Sequence, residues 1–375
     1  MKNPSFVLKA AFLLPLATSF AIAQTPAAAP VKKAPAAPSS TQAPAAAAQM
    51  PTITLLPPDN DPLPPFDPKF ITAASPTPDT VTSFLTHIWG DDSNRLWRIM
   101  GIQNTQEPGV SQVIVAIAQK ASTERPQIIS FYVLPDGKFA IGGGSGLVPF
   151  GANPFAHARD LLKEKADGPA RGSASKDLLL VEFSDLQCPH CKEVQPTVDK
   201  ILKDFPKARI VFQPLPLTEI HPSAFKAAAF GVCAQKQSDA TFFKFVDGVF
   251  ETQEGLTPAT EDTILKAAAM RAGLDGAAIA ECANTKAVKD IVNADIKLAD
   301  DAGVGKSTPT LSVNGRIIPF GIPYDSLKRV IVFQAKLDGV ETGASADILA
   351  PEPTAAPVPT SAAPTAAPAP SAQKK

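Results

Sequence analysis

Two cysteines separated by two residues, in Cys188-Pro189-His190-Cys191, are the residues of this chain best suited to covalent chemistry. At this spacing the thiols sit one helical turn apart and can join without backbone movement. The apolar run Leu178 to Val181 just before them reads as a buried strand. A thiol placed where a strand gives way to a helix meets unpaired amides and the positive end of the helix dipole, which favour its thiolate. A low-pKa thiolate with a second thiol beside it is equipped to exchange disulfides. Cys188 therefore reads as the exposed nucleophile and Cys191 as the buried resolving thiol. His190 can donate a hydrogen bond or lend positive charge to the Cys188 sulfur. That would stabilise the thiolate and the reduced protein, making the disulfide a stronger oxidant. A zinc site would need a second C-x-x-C or a His pair, and a c-type haem site would need His where Lys192 follows Cys191. The pattern calls for no cofactor and no metal.

Two other groups bear on this pair. Glu182 interrupts the apolar run, where an ionised carboxylate is costly unless paired or hydrated. Its pKa is expected to rise, fitting it to relay the Cys191 proton, with pairing to a nearby lysine as the alternative. Cys233 and Cys282 fall in a helical stretch. In an oxidising compartment an even cysteine count favours a structural disulfide between them, against two buried free thiols. Two glycine clusters imitate phosphate loops. Gly142-Gly143-Gly144-Ser145-Gly146 precedes no immediate helix, and the run ending Gly305-Lys306-Ser307 has Asp300 where the first glycine belongs. Neither reads as a nucleotide site. His157 and His221 read as a helix-surface residue and a turn marker.

The elements that must position these groups follow from periodicity. Leu178–Val181 suits a central strand buried on both faces. Val194, Val198, Ile201, Leu202 and Phe205 repeat at helical spacing after the cysteines, and Ile210-Val211-Phe212 gives a second strand parallel to the first. Residues from Pro222 to Asp300 turn helical. Strands return at Thr310–Val313 and Arg316–Pro319 around Asn314-Gly315, a strong hairpin signal, and a last helix covers Tyr324 to Lys336. Upstream, Thr77-Pro78 starts a helix with Val81, Phe84, Leu85 and Ile88 on one face. Val113, Val115 and Ile117 alternate as in a strand, and Ile128–Leu134 pairs with Lys138–Ile141 across Pro135-Asp136-Gly137. That region predicts a small α+β domain, a helix beside an antiparallel sheet. Residues 153–166 predict a helix and Gly168–Ser175 a polar linker.

Composition bounds the rest. The chain has 375 residues, with 35 basic against 36 acidic side chains and a net charge of −1, which argues against a nucleic-acid partner. Lys2 and Lys9 accompany an apolar stretch from Phe6 to Ala23 that ends Ala21-Ile22-Ala23, the pattern of a signal peptide cut before Gln24. A retained anchor is the alternative, although the stretch is short and interrupted by Pro15. Export implies an oxidising compartment, the periplasm or cell envelope. The 39 prolines concentrate near the ends, and the Ala/Pro-rich tracts 24–69 and 343–375 read as disordered tethers. The predicted organisation is thus 1–23 signal peptide, 24–69 linker, 70–150 small α+β domain, 151–174 linking helix and linker, 175–342 catalytic domain and 343–375 tail.

Taken together, residues 175–342 resemble the thioredoxin superfamily and its exported DsbA-like branch. The resemblance rests on Pro189-His190 between the cysteines, Glu182 six residues before Cys188, Pro196 five residues after Cys191 and Thr308-Pro309 before a strand and an Asn-Gly turn. The helical block between the two halves of the sheet adds to it. It implies an α/β thioredoxin-like fold with a helical insertion, a cis Pro309 and a Thr308 backbone free to pair with a substrate strand. It also implies a thiol–disulfide oxidoreductase acting on cysteine-containing exported proteins, with an unidentified redox partner protein, and Pro189-His190 favours an oxidase. DsbA has Val where this chain has Thr308, as DsbC-like isomerases do. FYVLPDGKFAIGG and the helix after it resemble the dimerisation domains of DsbC and DsbG. The alternative is therefore an isomerase or reductase that dimerises through residues 70–166. A peptide-binding chaperone or copper-handling module is a reading from another class.

Overall fold

The side chain of Thr77 accepts a hydrogen bond from the Thr80 amide at 3.2 Å, and Pro78 takes the first turn, so helix α1 (Pro78–Trp89) starts at its expected cap. The computed structural model describes residues 61–120, 122–142 and 146–349. Residues 1–60 (which include the predicted signal peptide), Ala121, Gly143–Ser145 and residues 350–375 lie outside them. Five strands follow α1: β1 (Arg95–Asn104), β2 (Ser111–Gln119), β3 (Gln127–Val133), β4 (Phe139–Gly142) and β5 (Leu147–Pro149). They pair in chain order, each antiparallel to the last. Val81, Phe84 and Leu85 of α1 close one face against Ile102, Val113, Val115, Phe131 and Val133. The β3–β4 turn has Gly137 at φ +64, which the Pro-Asp-Gly sequence supplies without strain. β1 was not expected, because its register slips at a bulge between Ile99 and Gly101 and its alternation is broken there.

Two tracts expected to be disordered are fastened at their inner ends. Leu63 is buried against Ala116 and Ala118, and Arg98 donates to the Leu63 and Pro64 carbonyls at 3.0 and 2.7 Å. One apolar anchor and one arginine therefore hold the end of the 24–69 tract on β1 and β2. At the other end, Ala346–Leu349 forms a helical turn, and Ala344 and Ile348 pack on the core of the second sheet.

Helix α2 (Ala156–Lys165) leads into β6 (Ala170–Gly172), β7 (Leu178–Ser184), helices α3 (Pro189–Glu193) and α4 (Gln195–Asp204), and β8 (Ala208–Pro214). A helical block follows, α5 (Ala224–Gln235), α6 (Asp239–Thr252), α7 (Glu261–Arg271), α8 (Gly276–Asn284) and α9 (Lys286–Asp301). The hairpin β9 (Thr310–Val313) and β10 (Arg316–Pro319), helix α10 (Tyr324–Leu337) and the turn α11 (Ala346–Leu349) complete the chain. The sheet order is β10-β9-β7-β8-β6, with β7 and β8 parallel and the other pairs antiparallel. Asn314 and Gly315 at φ 46 and 89 turn the β9–β10 hairpin. β6 lies inside the stretch expected to be a polar linker. Three residues are too few to register as alternation, yet they pair with β8, and Gly172 at φ +87 passes so close to Ala208 that a Cβ would meet its carbonyl oxygen. The fold is α/β, a mixed sheet between helices with a helical block inserted before its last hairpin, and an antiparallel sheet with α1 ahead of it.

Candidate active site

β7 runs through the middle of the sheet with every residue buried. Leu179, Val181 and Phe183 pack toward α2 and α9, while Leu178 and Leu180 pack toward α4 and α10. Period-two alternation places Glu182 and Ser184 in the row of Leu178 and Leu180, on the side from which α3 and α4 cover the sheet. The chain leaves the strand at Asp185 and turns, with the Cys188 amide donating to the Asp185 carbonyl at 3.0 Å. Cys188 is then the N-cap residue of α3, and Pro189, which needs no hydrogen-bond acceptor, takes the first helical position. Pro196 cannot donate to the Lys192 carbonyl. The helix accordingly ends at Glu193 and restarts at Gln195, with Val194 between the two segments.

The loop from Asp185 to Cys188 is held from the helical block. Gln253 donates to the Leu186 and Cys188 carbonyls at 3.0 and 2.9 Å. Gln187 donates to the Leu256 carbonyl and accepts from the Ser223 amide, both at 2.8 Å. The buried Asp185 carboxylate accepts from the Gln187 amide at 2.7 Å, and from the Leu217 amide and His221 Nδ1 at 2.8 Å. None of these supports was expected, and His221 does more than mark a turn. Asp185 two residues before Gln187 is an Asx-turn pattern that could have been noticed. Gln253 and His221 carry no local signal, since only the tertiary fold brings them here.

The two thiols differ sharply. Cys188 is 5% exposed and Cys191 is fully buried, so the expectation of an exposed nucleophile does not hold. Cys188 packs in the core of the helical block, Gln253 holds its carbonyl, and its sulfur faces the Thr308 carbonyl. As a thiol Cys188 has the Thr308 carbonyl as acceptor at 3.7 Å, beside a Thr308–Pro309 peptide that is cis. As a thiolate it accepts from the Cys191 thiol, the largest influence, and from the Cys191 and His190 amides, with help from the Thr308 side chain. Its pKa is lowered to about 5 despite the opposing effect of burial. Burial, first, and the neighbouring Cys188 push the Cys191 thiol up, while the Asp185 amide donates to its sulfur at 3.3 Å.

Of the two actions expected of His190, its charge couples to the Cys188 sulfur but its ring makes no hydrogen bond to it. Its ring Nδ1 donates to Glu193 Oε2 at 2.8 Å, and the side chain is 72% exposed. That carboxylate raises the imidazole pKa, with a smaller contribution from Cys188, and it is the His190 amide that supports the thiolate. Glu182 has the raised pKa its burial predicts, but no lysine pairs with it. Gln195, which was not anticipated, donates to Glu182 Oε1 at 2.8 Å and to the Cys191 carbonyl at 3.0 Å, and accepts from Arg171 at 3.3 Å. Glu182 Oε2, Ser184 Oγ and Thr308 Oγ1 are buried without a hydrogen-bond partner, an arrangement that costs about 1–3 kcal/mol per group.

Glu182, Cys188, Pro189, Cys191, Thr308 and Pro309 are thus brought together at the end of β7. Cys233 and Cys282 form a disulfide that ties α5 to α8 within the helical block. Among the described residues no group of three or more His, Cys, Asp or Glu side chains could hold a metal ion, and no helix is long and apolar enough to cross a membrane. The site can form a thiolate and sets that sulfur beside the Thr308 carbonyl, with a buried acid tied through Gln195 to the Cys191 main chain.

Residues 164–332 match a family model described as thioredoxin. The Na(+)/H(+) antiporter NhaA 3 of Salinispora tropica is 33% identical over 146 residues, 39% of this chain and 21% of the antiporter. The chain therefore spans about a fifth of that relative's length. A probable disulfide bond formation protein D of Bacillus anthracis is 27% identical over 188 residues, 48% of this chain and 81% of that protein. The catalytic domain of Proteus mirabilis ScsC has a TM-score of 0.41 and 22% identity, covering 48% of this chain and 97% of that domain. The family match assigns residues 164–332 to a thioredoxin-like domain.

Proposed function

We propose that this protein is an exported thiol–disulfide oxidoreductase of the periplasm or cell envelope that forms disulfides in cysteine-containing proteins. The observation that carries the reading is Cys188 at the N-cap of α3 with the buried Cys191 one turn on, where the Cys191 thiol and the Cys191 and His190 amides lower the Cys188 pKa to about 5 and burial raises that of Cys191. A substrate thiolate attacks Cys188 of the disulfide form, and Cys191 leaves. A second substrate thiolate then attacks the substrate sulfur of the mixed disulfide and expels Cys188, which the low pKa makes a good leaving group. The Thr308 carbonyl, 3.7 Å from the Cys188 sulfur, is placed to pair with the substrate main chain as this happens. A redox partner protein reoxidises the pair. The test is the reduction potential of Cys188–Cys191 against glutathione. A value near or above about −200 mV is expected of an oxidase, and one below about −250 mV rejects it. Full retention of cellular activity by Cys188→Ala would assign the protein to another class, such as a peptide-binding chaperone or copper-handling module.

A second reading, isomerase or reductase acting as a dimer through residues 70–166, is favoured by one feature of the first sheet. Ile128, Tyr132, Phe139, Ile141 and Leu147 are 36% to 54% exposed, with Tyr132 opposite Ile141 and Ile141 opposite Leu147. Such a contiguous apolar surface suits a partner. Light scattering of the full chain and of Tyr132→Asp/Ile141→Lys tests it. A dimer that the double substitution splits supports this reading, and a wild-type monomer removes it.

A further inference from the structure

Ser184 has no role in the exchange chemistry described so far. It follows Glu182 by two residues on β7 and shares its face of the sheet, and the two side chains are 1% and 0% exposed. The next residue, Asp185, donates its amide to the Cys191 sulfur at 3.3 Å, so that sulfur rests against the strand end beside Ser184. The Gln195 amide spans Glu182 Oε1 and the Cys191 carbonyl, which ties the acid to the residue that carries the buried thiol. Glu182 Oε1 is thereby occupied. Glu182 Oε2 and Ser184 Oγ are each buried without a hydrogen-bond partner. Buried polar atoms left unpaired in a native fold call for a reason, and redox or catalytic use is one. The Ser184 side chain lies close enough to both Glu182 and Cys191 to favour the ionised form of each. A hydroxyl can accept one proton as it gives up its own, which neither the glutamine nor a main-chain amide can do.

We propose that the Ser184 hydroxyl carries the proton between the Cys191 thiol and Glu182 Oε2, a step that rests on the exchange reaction proposed above. When a mixed disulfide at Cys188 is resolved, the Cys191 S–H proton passes to Ser184 Oγ as the Ser184 O–H proton passes to Glu182. The freed electron pair on Cys191 forms the Cys188–Cys191 bond, and the substrate sulfur leaves as a thiolate. The dithiol is oxidised by two electrons and the substrate disulfide is reduced by two. In the oxidising direction the same path runs backwards: Cys191 leaves with the bonding pair and is protonated through Ser184 at the expense of Glu182. The charged groups around the trio are Asp185 with its partner His221, Arg171 on β6, which reaches Gln195 and Asp199 on α4, and, when no substrate is attached, the Cys188 thiolate at the N-cap of α3. Asp247 on α6 also lies within range of Arg171.

The test separates the two steps. Reduced protein is mixed with oxidised glutathione, quenched in acid at intervals and followed by mass spectrometry as the Cys188–glutathione adduct forms and decays. Adduct formation uses Cys188 alone and reports an intact site. In Ser184→Ala it should keep the wild-type rate, while adduct decay slows about 100-fold, the lower end of what positioned proton transfer supplies. Ser184→Thr, which keeps the hydroxyl and suits a strand, should restore decay to within a few-fold. Adding Ser184→Ala to Glu182→Gln should slow decay little beyond Glu182→Gln alone, because the two residues act as a unit. In the wild-type protein, decay measured in mixtures of light and heavy water should bend, as two protons move together. Wild-type decay in Ser184→Ala, or a straight line in the solvent mixtures, overturns the relay. A wild-type protein that forms no adduct overturns the exchange reading itself.

Discussion

Acidifying the reduced protein removes the charge on Cys188, and the size of the effect follows from its pKa of about 5 against 9.0 for an ordinary thiol. Because the folded-state pKa is depressed, the stabilisation of the reduced fold is complete above pH 9, shrinks as the pH falls and is lost near pH 5. The full span of four units between those values is worth about 5 kcal/mol, at ~1.36 kcal/mol per unit. About half, ~2.7 kcal/mol, is present at pH 7. Cys191 is pushed up, so it stays protonated through this window and adds nothing. The disulfide form has neither thiol. The ~2.7 kcal/mol therefore appears as a difference between redox forms, about 60 mV for a two-electron couple. Above pH 5, reduction takes up one proton, at Cys191, and the potential should change by about 30 mV per pH unit. Below pH 5 it takes up two, and the slope should approach about 59 mV per unit. Thiolate ultraviolet absorbance and iodoacetamide reactivity give the pKa, and equilibration with glutathione across the same pH range gives the slope. A pKa near 8, or the steeper slope throughout, would refute the claim that the Cys191 thiol and the α3 amides hold a thiolate.

Three further outcomes are expected. Gln195→Leu strips Glu182 Oε1 of its donor, raises the Glu182 pKa further and should cost about 1–3 kcal/mol in urea unfolding. Since a raised carboxyl pKa takes away stability as the pH rises, the deficit should be smallest near pH 4 and grow toward neutrality. Replacing Cys233 and Cys282 by serine opens a loop of 49 residues and should lower stability by about 4 kcal/mol, read as a fall in Tm, with the Cys188 pKa unchanged. Asp185→Ala leaves the Gln187 and Leu217 amides and His221 without their acceptor, and a loss of about 3 kcal/mol in denaturant unfolding is expected.

How much of this was legible in the sequence depends on how local each signal is. The strand–cysteine–helix order, the β9–β10 hairpin and α10 are written in short-range patterns, namely an apolar run, a Pro at the first helical position, an Asn-Gly turn and a heptad-like stripe. They emerge within a residue or two of where they stand. Glu182 could be singled out because a carboxylate in an apolar run is itself an anomaly. The supports of the site are of another kind. Gln253 lies 65 residues from Cys188, and His221 lies 36 from Asp185. Neither has a neighbour in sequence that hints at the contact. Gln195 and Ser184 are close by, but polar residues beside a conspicuous motif look like ordinary helix and strand positions until burial shows otherwise. The burial of Cys188 itself is likewise a product of the helical block and the Thr308 loop, which no reading of the four-residue motif contains. His190 lends the sulfur charge but no hydrogen bond for a local reason that was available: Glu193, one turn later on the same helix, competes for its imidazole.

Thr308 brings stability and chemistry into opposition, which makes it the residue where the direction of exchange can be probed. Its hydroxyl is buried without a hydrogen-bond partner, yet its side chain helps lower the Cys188 pKa. Valine has nearly the same shape and no polar atom. Thr308→Val should therefore relieve an unpaired buried group and leave the fold as stable or more so, by up to ~1 kcal/mol, since removing an unsatisfied polar atom carries no packing loss. At the same time the thiolate loses a supporting group. The Cys188 pKa should rise by up to about one unit, and the reduced form should lose up to ~1.4 kcal/mol relative to the oxidised. That is a potential about 30 mV more negative, a weaker oxidant. Urea unfolding of the disulfide form measures the first effect, and glutathione equilibration measures the second. A variant with unchanged Cys188 pKa and potential would show that the thiolate is held by the α3 amides and the Cys191 thiol alone. A variant that shows both shifts would mean that this chain accepts a less comfortable side chain before Pro309 in return for a more oxidising pair.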